Sequence, residues 1–570
     1  VLALLTTFVV SSGTSAASGK GVIKISSTVT GSDGKSYSVT NHLTREAFLP
    51  GARHQPRQWL LAWAGDDEAG SPGSPDPDFL AVIDATAGSR EYGKVVNTVT
   101  IDSIFGNEPH HMQYVWHKGN RVYAGGLLSD TTYVFDVARL PQVRLAGITL
   151  GSDTPCGSAP DAYSVLKDGT ALATYMGGPD VTGPCRYTNG EVRNGNGYAG
   201  SPGEIVHIGR DGKVLSESPA ASRTAEDAQL CLNIPVLPEA SCANPHGIAV
   251  REDLGRAVTS DFAEVRNMVA PPAPPPANIG RQTVRIFDIS QKDNPQLKSV
   301  SRLPLGPRQE PDPFGIGREP YMVMETAVTN HRQHRGAFAS TMSGGAIFYT
   351  PDITDPNPRW REVYDDFSAF KSLFPNDTPH ASTDGGSWLM VSPDDRFLYH
   401  VVLKGGATSP EKNKNNGMVY VLDIQKLLAA GKNTKCSVDT LAEVGTGGQE
   451  ADCPSLVSAL PITDLTSGGP HWAAMDNFRL GWGNRYEETS EIRRIAVANY
   501  FVKATYTDGD HRVCMVNVSK RGQLSLDKTF RDESKGDPCV AFNRTRWPHG
   551  DRGSARPHGV LFAVADAHVR

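Results

Sequence analysis

Seven times along the chain, an alternating apolar run of five or six residues recurs, most copies closing on Asp or Asn. The runs are Phe79–Asp84, Thr132–Asp136, Gly203–Ile208, Val284–Asp288, Ala346–Thr350, Met418–Asp423 and Val513–Asn517. A period of two bounded by Gly, Pro, Asn and Asp turns reads as β-strand. Helical periodicity is nearly absent, with Ile424–Ala430 the best short candidate. One or two further strands separate successive runs. In the clearest unit His110 opens Met112–Trp116, which turns at Lys118-Gly119-Asn120 into Arg121–Leu127 and again at Ser129-Asp130 into Thr132–Val137. Such meanders without crossover helices predict an all-β chain, a seven-bladed β-propeller. The ends predict its closure. Phe79–Asp84 lacks the strand that opens the other units, and His558–Val564 has no closing run after it. Strands from both termini would share one blade, which leaves the ring no free sheet edge.

A second pattern lies at the strand starts. Six of the 16 histidines directly follow a proline, against about one expected from 40 prolines in 570 residues. Proline has a fixed φ and no N–H to satisfy, which suits the first residue of a strand. The first strand of a propeller blade is innermost. The residues after the opening prolines, His110, Asp161, His246, Tyr321, His380, His471 and His558, are therefore predicted to ring the channel mouth. Five are histidines, and converging neutral imidazoles suit copper, iron or zinc. His111 points away from His110 on a regular strand, but reaches the same site if the strand begins after it, and it joins the expected ligands. His549 also follows a proline but sits in a charged loop, Arg544–Arg552, outside the pattern. Glu108, Asp161 and Asp384 are the candidate catalytic or ligand-orienting carboxylates, since a metal-bound imidazole commonly passes its far N–H to a carboxylate. Asp476, Asp261 and Glu264 are open to that role or to an ordinary turn or cap role.

Composition excludes several function classes. A net charge of −6 over this length, with 21% charged residues and no basic stripe interleaved with aromatics, gives no reason to expect nucleic acid. Val1–Val10 is apolar and short, followed by the small residues Ser11–Ser18; residues 1–17 resemble a secretory leader, with 18–570 as one propeller domain. A secreted or periplasmic protein with no integral anchor after leader removal is expected. The eight cysteines fall as local pairs, Cys156 with Cys185, Cys231 with Cys242, Cys436 with Cys453 and Cys514 with Cys539, which suggests up to four disulfides in an oxidising compartment. Spacing alone does not fix their connectivity. The Pro-rich Met268–Ala277 and the Lys/Asn-rich Gly406–Gly417 read as loop insertions. Gly195–Gly200 matches G-x-G-x-x-G, but it precedes a strand rather than a helix, so a dinucleotide site is not expected.

The run Pro77–Asp84, the pair His110-His111 and Tyr133–Val137 together resemble the opening of the selenium-binding protein / methanethiol oxidase family. Val391–Tyr399, Gly468-Gly469-Pro470 and Thr259–Ala263 resemble later segments of that family in the same order. The resemblance implies a seven-bladed propeller and a copper-dependent oxidase converting methanethiol to formaldehyde, hydrogen sulfide and hydrogen peroxide. The chain departs from the family in lacking its N-terminal cysteine segment and in carrying His246, His380 and His471. The richer histidine set implies more than one copper or a different small-molecule substrate. It is similar in principle to the copper propellers of nitrous oxide reductase and thiocyanate dehydrogenase, and to the four-histidine iron site of carotenoid-cleaving dioxygenases. A non-enzymatic metal-binding propeller is the remaining alternative.

Overall fold

The computed structural model describes residues 21–48, 56–66, 77–102, 104, 106–269, 280–308, 319–376, 385–403, 417–463, 469–502, 509–534, 536–551 and 553–570. The leader-like segment, the Pro-rich run beyond residue 269, His380 and Asp384 lie outside these residues. Seven antiparallel sheets form a β-propeller. Each recurring apolar run is the third strand of its blade, so the sequence period marks one strand position all around the ring.

The innermost strands are Pro109–Met112, Ser158–Val165, Pro245–Arg251, Val323–Val328, Gly386–Val391, Pro470–Met475 and Ala555–Val564. Ala555–Val564 pairs with Gln58–Asp66 in a register that sets Leu561 opposite Leu61, so the two ends of the chain share one blade as expected. That blade carries two further strands outside the usual four, Ser36–Leu43 and Ile23–Thr30. Its Trp63 is fully buried and donates its indole N–H to Gly125 O at 2.7 Å, locking it to the neighbouring blade.

Helices are few and peripheral. Asp366–Leu373 begins at Asp365, whose side chain accepts from the Phe367 N–H, and it packs against Leu441–Thr446, opened by a Thr440/Glu443 capping box. The expected short helix appears as Gln425–Ala430. All four local cysteine pairs are bonded, leaving no free thiol. Among the described residues no helix is long and apolar enough to cross a membrane.

Candidate metal centre on the propeller axis

Every innermost strand is irregular at the same place. Pro109 pairs with Gly126 and Met112 with Ala124, so His110 and His111 together face a single partner, Gly125. The same two-against-one bulge sets Asp161-Ala162 against Thr174, His246-Gly247 against Ser260, Met324-Glu325 against Ser340, and Ser387-Trp388 against Val401. In the last two blades a single extra residue is inserted, His471 and His558. A bulge breaks the alternation of the strand and re-aims its side chains. Here it lets both His110 and His111 reach the axis, which a regular strand forbids.

The backbone just before the bulge is turned sharply. Glu108 (φ 47°), Ala159 (φ 57°) and Met322 (φ 57°) are left-handed, and Gly469 (φ 111°) occupies the matching position before Pro470. Non-glycine residues seldom adopt positive φ, and such strain gathers at functional sites.

A chain of hydroxyls holds the bulges in place. Ser260 Oγ accepts the Gly247 N–H at 2.9 Å and donates to Met324 O of the next blade at 2.7 Å. Thr174 Oγ1 accepts from Ala162 N at 3.1 Å and donates to His246 O. Ser340 Oγ donates to Ser387 O at 2.8 Å. The residue opposite each of these three bulges therefore fixes the bulge of the following blade.

Two overlapping groups of ligand atoms result: His110, His111, His471 and His558, and His110, His111, Asp161 and His246. All are buried. His110 Nε2 and His111 Nδ1 lie 3.0 and 3.3 Å from Asp161 Oδ1, and His246 Nδ1 lies 3.5 Å from Asp161 Oδ2 and 3.4 Å from Glu325 Oε1. These approaches lack hydrogen-bond alignment. Nδ1 of His110, His111 and His246, both ring nitrogens of His558, both Asp161 oxygens and Glu325 Oε1 have no hydrogen-bond partner. Buried polar atoms are almost always satisfied, and these unpartnered nitrogens and carboxylate oxygens form a donor set that a metal cation would fit.

Burial lowers the pKa of His110, takes that of His111 down to about 3, and holds His471 and His558 well below the ordinary imidazole range, so their lone pairs are free for a metal. Burial alone would raise Asp161, but the facing His111, His246 and His110 rings outweigh it and keep the carboxylate ionised.

The His111–His471 pair sharpens this. Ser387 Oγ donates its single proton to His471 O at 2.7 Å and so accepts the Nδ1–H of His471 at 2.8 Å. That leaves His471 Nε2 as a bare lone pair, 2.6 Å from His111 Nε2. If His111 is protonated at Nδ1, two lone pairs face each other. If it is protonated at Nε2, its Nδ1 lone pair faces the Asp161 carboxylate. Either a second proton on His111, which would donate to both partners, or a metal cation removes the conflict. Beneath the pair, Trp472 stacks on His111 at 4.3 Å, and Tyr114 packs on Trp472 at 4.8 Å. The Tyr114 hydroxyl donates to Glu325 Oε2 at 2.6 Å and accepts the Ile248 N–H at 3.2 Å.

The expected ring is thus assembled at His110, His111, Asp161, His246, His471 and His558. The Tyr321 expectation is corrected. Pro320 does not open the strand; the strand starts at Val323, the register equivalent of Pro109, and Glu325 is the residue that reaches the axis. Glu325 and Ser387 were missed because their strands open without the Pro-x pair. An acid inside the apolar run Met322–Ala327 was the available signal, since a buried carboxylate needs a partner.

Glu108 stands outside the ring of ligand atoms. It accepts from the Tyr500 hydroxyl at 2.9 Å, and the Tyr500 ring lies 5.6 Å from that of His558. Asp476 is structural, paired with Arg494 at 2.7 Å and capping Phe478 N. Asp261 binds Arg285 and Thr283, and Glu264 accepts from Asn196 and Ser201 N, both away from the axis. Gly195–Gly200 forms a loop without a helix, in line with the rejected dinucleotide reading.

No family model matches the chain, and no curated protein matches it. Among solved structures it is similar to a hypothetical selenium-binding protein from Sulfolobus tokodaii, at 14% identity over 90% of this chain and 95% of that one, with a TM-score of 0.56. A periplasmic gluconolactonase from Pseudomonas aeruginosa matches at 12% identity over 89% of this chain and 99% of that one, with a TM-score of 0.45. At 14% identity the likeness to the first of these speaks for the fold alone.

Proposed function

We propose that the chain is an exported, copper-dependent oxidoreductase acting on a small sulfur compound at the channel mouth. The observation that carries the metal is the convergence of His110, His111, His246, His471 and His558 with Asp161 at one buried point, where the ligand atoms form two overlapping groups. The donor set of five imidazoles and two carboxylates fits a redox-active first-row metal better than calcium or magnesium, which prefer oxygen. When bound, copper would supply a site for substrate sulfur or oxygen and accept its electrons.

The residues of the chain set the stage for that chemistry. Asp161 balances the positive charge among three histidines. Glu325, with Tyr114 on its second oxygen, supplies a negative charge on the same side. Trp472, fully buried and stacked on His111, packs beneath the ring. Four disulfides accord with an oxidising, extracytoplasmic compartment. The selenium-binding-like fold supports the sulfur substrate by analogy only.

A second reading is a centre with more than one copper. It is favoured by the two overlapping groups of four, which share His110 and His111 but diverge toward His471 and His558 on one side and Asp161 and His246 on the other. Metal analysis of protein purified without added metal, combined with electron paramagnetic resonance and turnover of low-mass sulfur compounds, tests both. One copper per chain favours the single site, two or more the extended centre, and iron the oxygenase alternative. Metal-free protein whose His246→Ala and His471→Ala variants bind copper as the parent does would sink the metalloenzyme reading.

A further inference from the structure

Five blades place a large apolar residue at the same point, next after the second-strand residue that pairs just before the ligand bulge: Leu127, Met176, Phe262, Met342 and Leu403. In a sixth blade Tyr500 holds that point and Phe501 follows it. Backbone bonds fix this level. The N–H of Leu127 donates to Glu108 O, that of Phe262 to Asn244 O, that of Met342 to Met322 O, and that of Leu403 to Gly385 O, at 3.2, 3.0, 2.9 and 2.7 Å. Each acceptor precedes the bulge, on the mouth side of the ligand.

The five and Phe501 belong to a single apolar cluster. This cluster reaches the mouth side of the histidine ring, with Phe262 5.0 Å from His246 and Phe501 4.6 Å from His471. The blade shared by the termini contributes the polar sector instead. There Arg556 lies 3.6 Å from Glu108, so its charge is balanced, and its guanidinium sits 6.0 Å over the Tyr500 ring.

We propose that this apolar collar is a polarity filter, and that Phe262 and Phe501 set the site's specificity by admitting small neutral molecules and excluding anions. The physical reason is desolvation: an ion passing these buried hydrocarbon and thioether side chains loses its water, and the one polar sector offers a guanidinium already paired with Glu108. A neutral molecule loses little. The inference rests on the metal-site reading above, because it concerns access to that site.

The test uses the copper-loaded full chain and two probes, azide as a small anion and imidazole at pH 8 as a larger neutral ligand, with association followed by visible absorption in stopped flow. Imidazole is expected to enter at least tenfold faster than azide, the reverse of their size order. Phe262→Ser and Phe501→Ser are expected to speed azide at least tenfold while leaving imidazole within about threefold, and Phe501→Leu to behave as the parent. Equal access of both probes in the parent, or variants that speed both alike, would overturn the filter while leaving the metal site standing. Failure to load any metal would instead remove the reading on which the filter rests, and the filter with it. The parent comparison decides the matter even where a serine variant does not fold.

Discussion

His111 and His471 meet Nε2 to Nε2 at 2.6 Å across the axis, from positions 360 residues apart in the chain. Both stand at a Pro-His strand start, and the bulges there bring the two rings together where a metal would take their facing nitrogens. Losing one member should therefore cost the site its metal before it costs the protein its fold. His111→Ala is expected to weaken copper binding by at least tenfold with unchanged far-ultraviolet circular dichroism, as read by competition with a chelator. Unchanged affinity would place the metal elsewhere.

The hydroxyls that link one bulge to the next should report on ligand placement. Thr174→Val removes a donor to the His246 carbonyl and an acceptor for Ala162 N while keeping the side-chain shape. A loss of about 1–3 kcal/mol in unfolding free energy is expected, together with a roughly tenfold weaker metal. Urea denaturation and metal titration separate the two effects.

Tyr114→Phe tests the group beneath the ring. The change leaves Glu325 Oε2 and the Ile248 N–H without their shared partner. A buried pair so exposed costs about 1–3 kcal/mol. Double substitution with Glu325→Gln should cost less than the sum of the single changes, because the hydroxyl and the carboxylate act on each other.

His42 gives a pH-dependent stability away from the axis. Burial first, then the nearby Lys24 charge, lowers its pKa to about 4. The unfolded chain, with its ordinary imidazole near 6.5, therefore takes up the proton first as the pH falls. Stability contributed by neutral His42 is present above about pH 6.5 and is lost progressively down to about 4. The urea midpoint should fall across that window, and His42→Gln should flatten the fall.

Cys514–Cys539 closes a segment of 25 residues and ties Val540–Ala541 onto the strand Arg512–Val518. Replacing both cysteines with serine is expected to lower stability by about 3 kcal/mol, measured by denaturant unfolding. An unchanged midpoint would mean that the added strand is held by its packing alone.

The ring was legible in the sequence wherever a proline stood next to the ligand. At Pro109, Pro245 and Pro470 the absent N–H and fixed φ mark the strand start, and Pro160 and Pro557 stand two residues inside theirs; in all five the next residue faces the axis. At Val323 and Gly386 the same backbone position is built without proline, so the marker vanishes while the register persists, and the Pro-x pattern points to Tyr321 where Glu325 belongs. The bulge was hidden for a different reason. It is a property of two strands together, visible only in the pairing of Pro109 with Gly126 and Met112 with Ala124, and it decides that His111 points inward. The seven third strands were legible because both of their faces are buried, so most of them read as short, nearly continuous apolar runs bounded by turns. Ser387 carried no signal at all, being one serine among many until its hydroxyl is seen between the ring and the carbonyl of His471.

The pairing of Ala555–Val564 with Gln58–Asp66 has a consequence for how the protein matures. His558 rides on that strand, so synthesis of nearly the whole described chain precedes completion of the histidine ring. A partly made or partly folded chain carries only a fragment of the donor set. In the proposed metal-bound state, an ion held by His110, His111, His471 and His558 would tie that last strand to the first blade, so loading and closure would support each other.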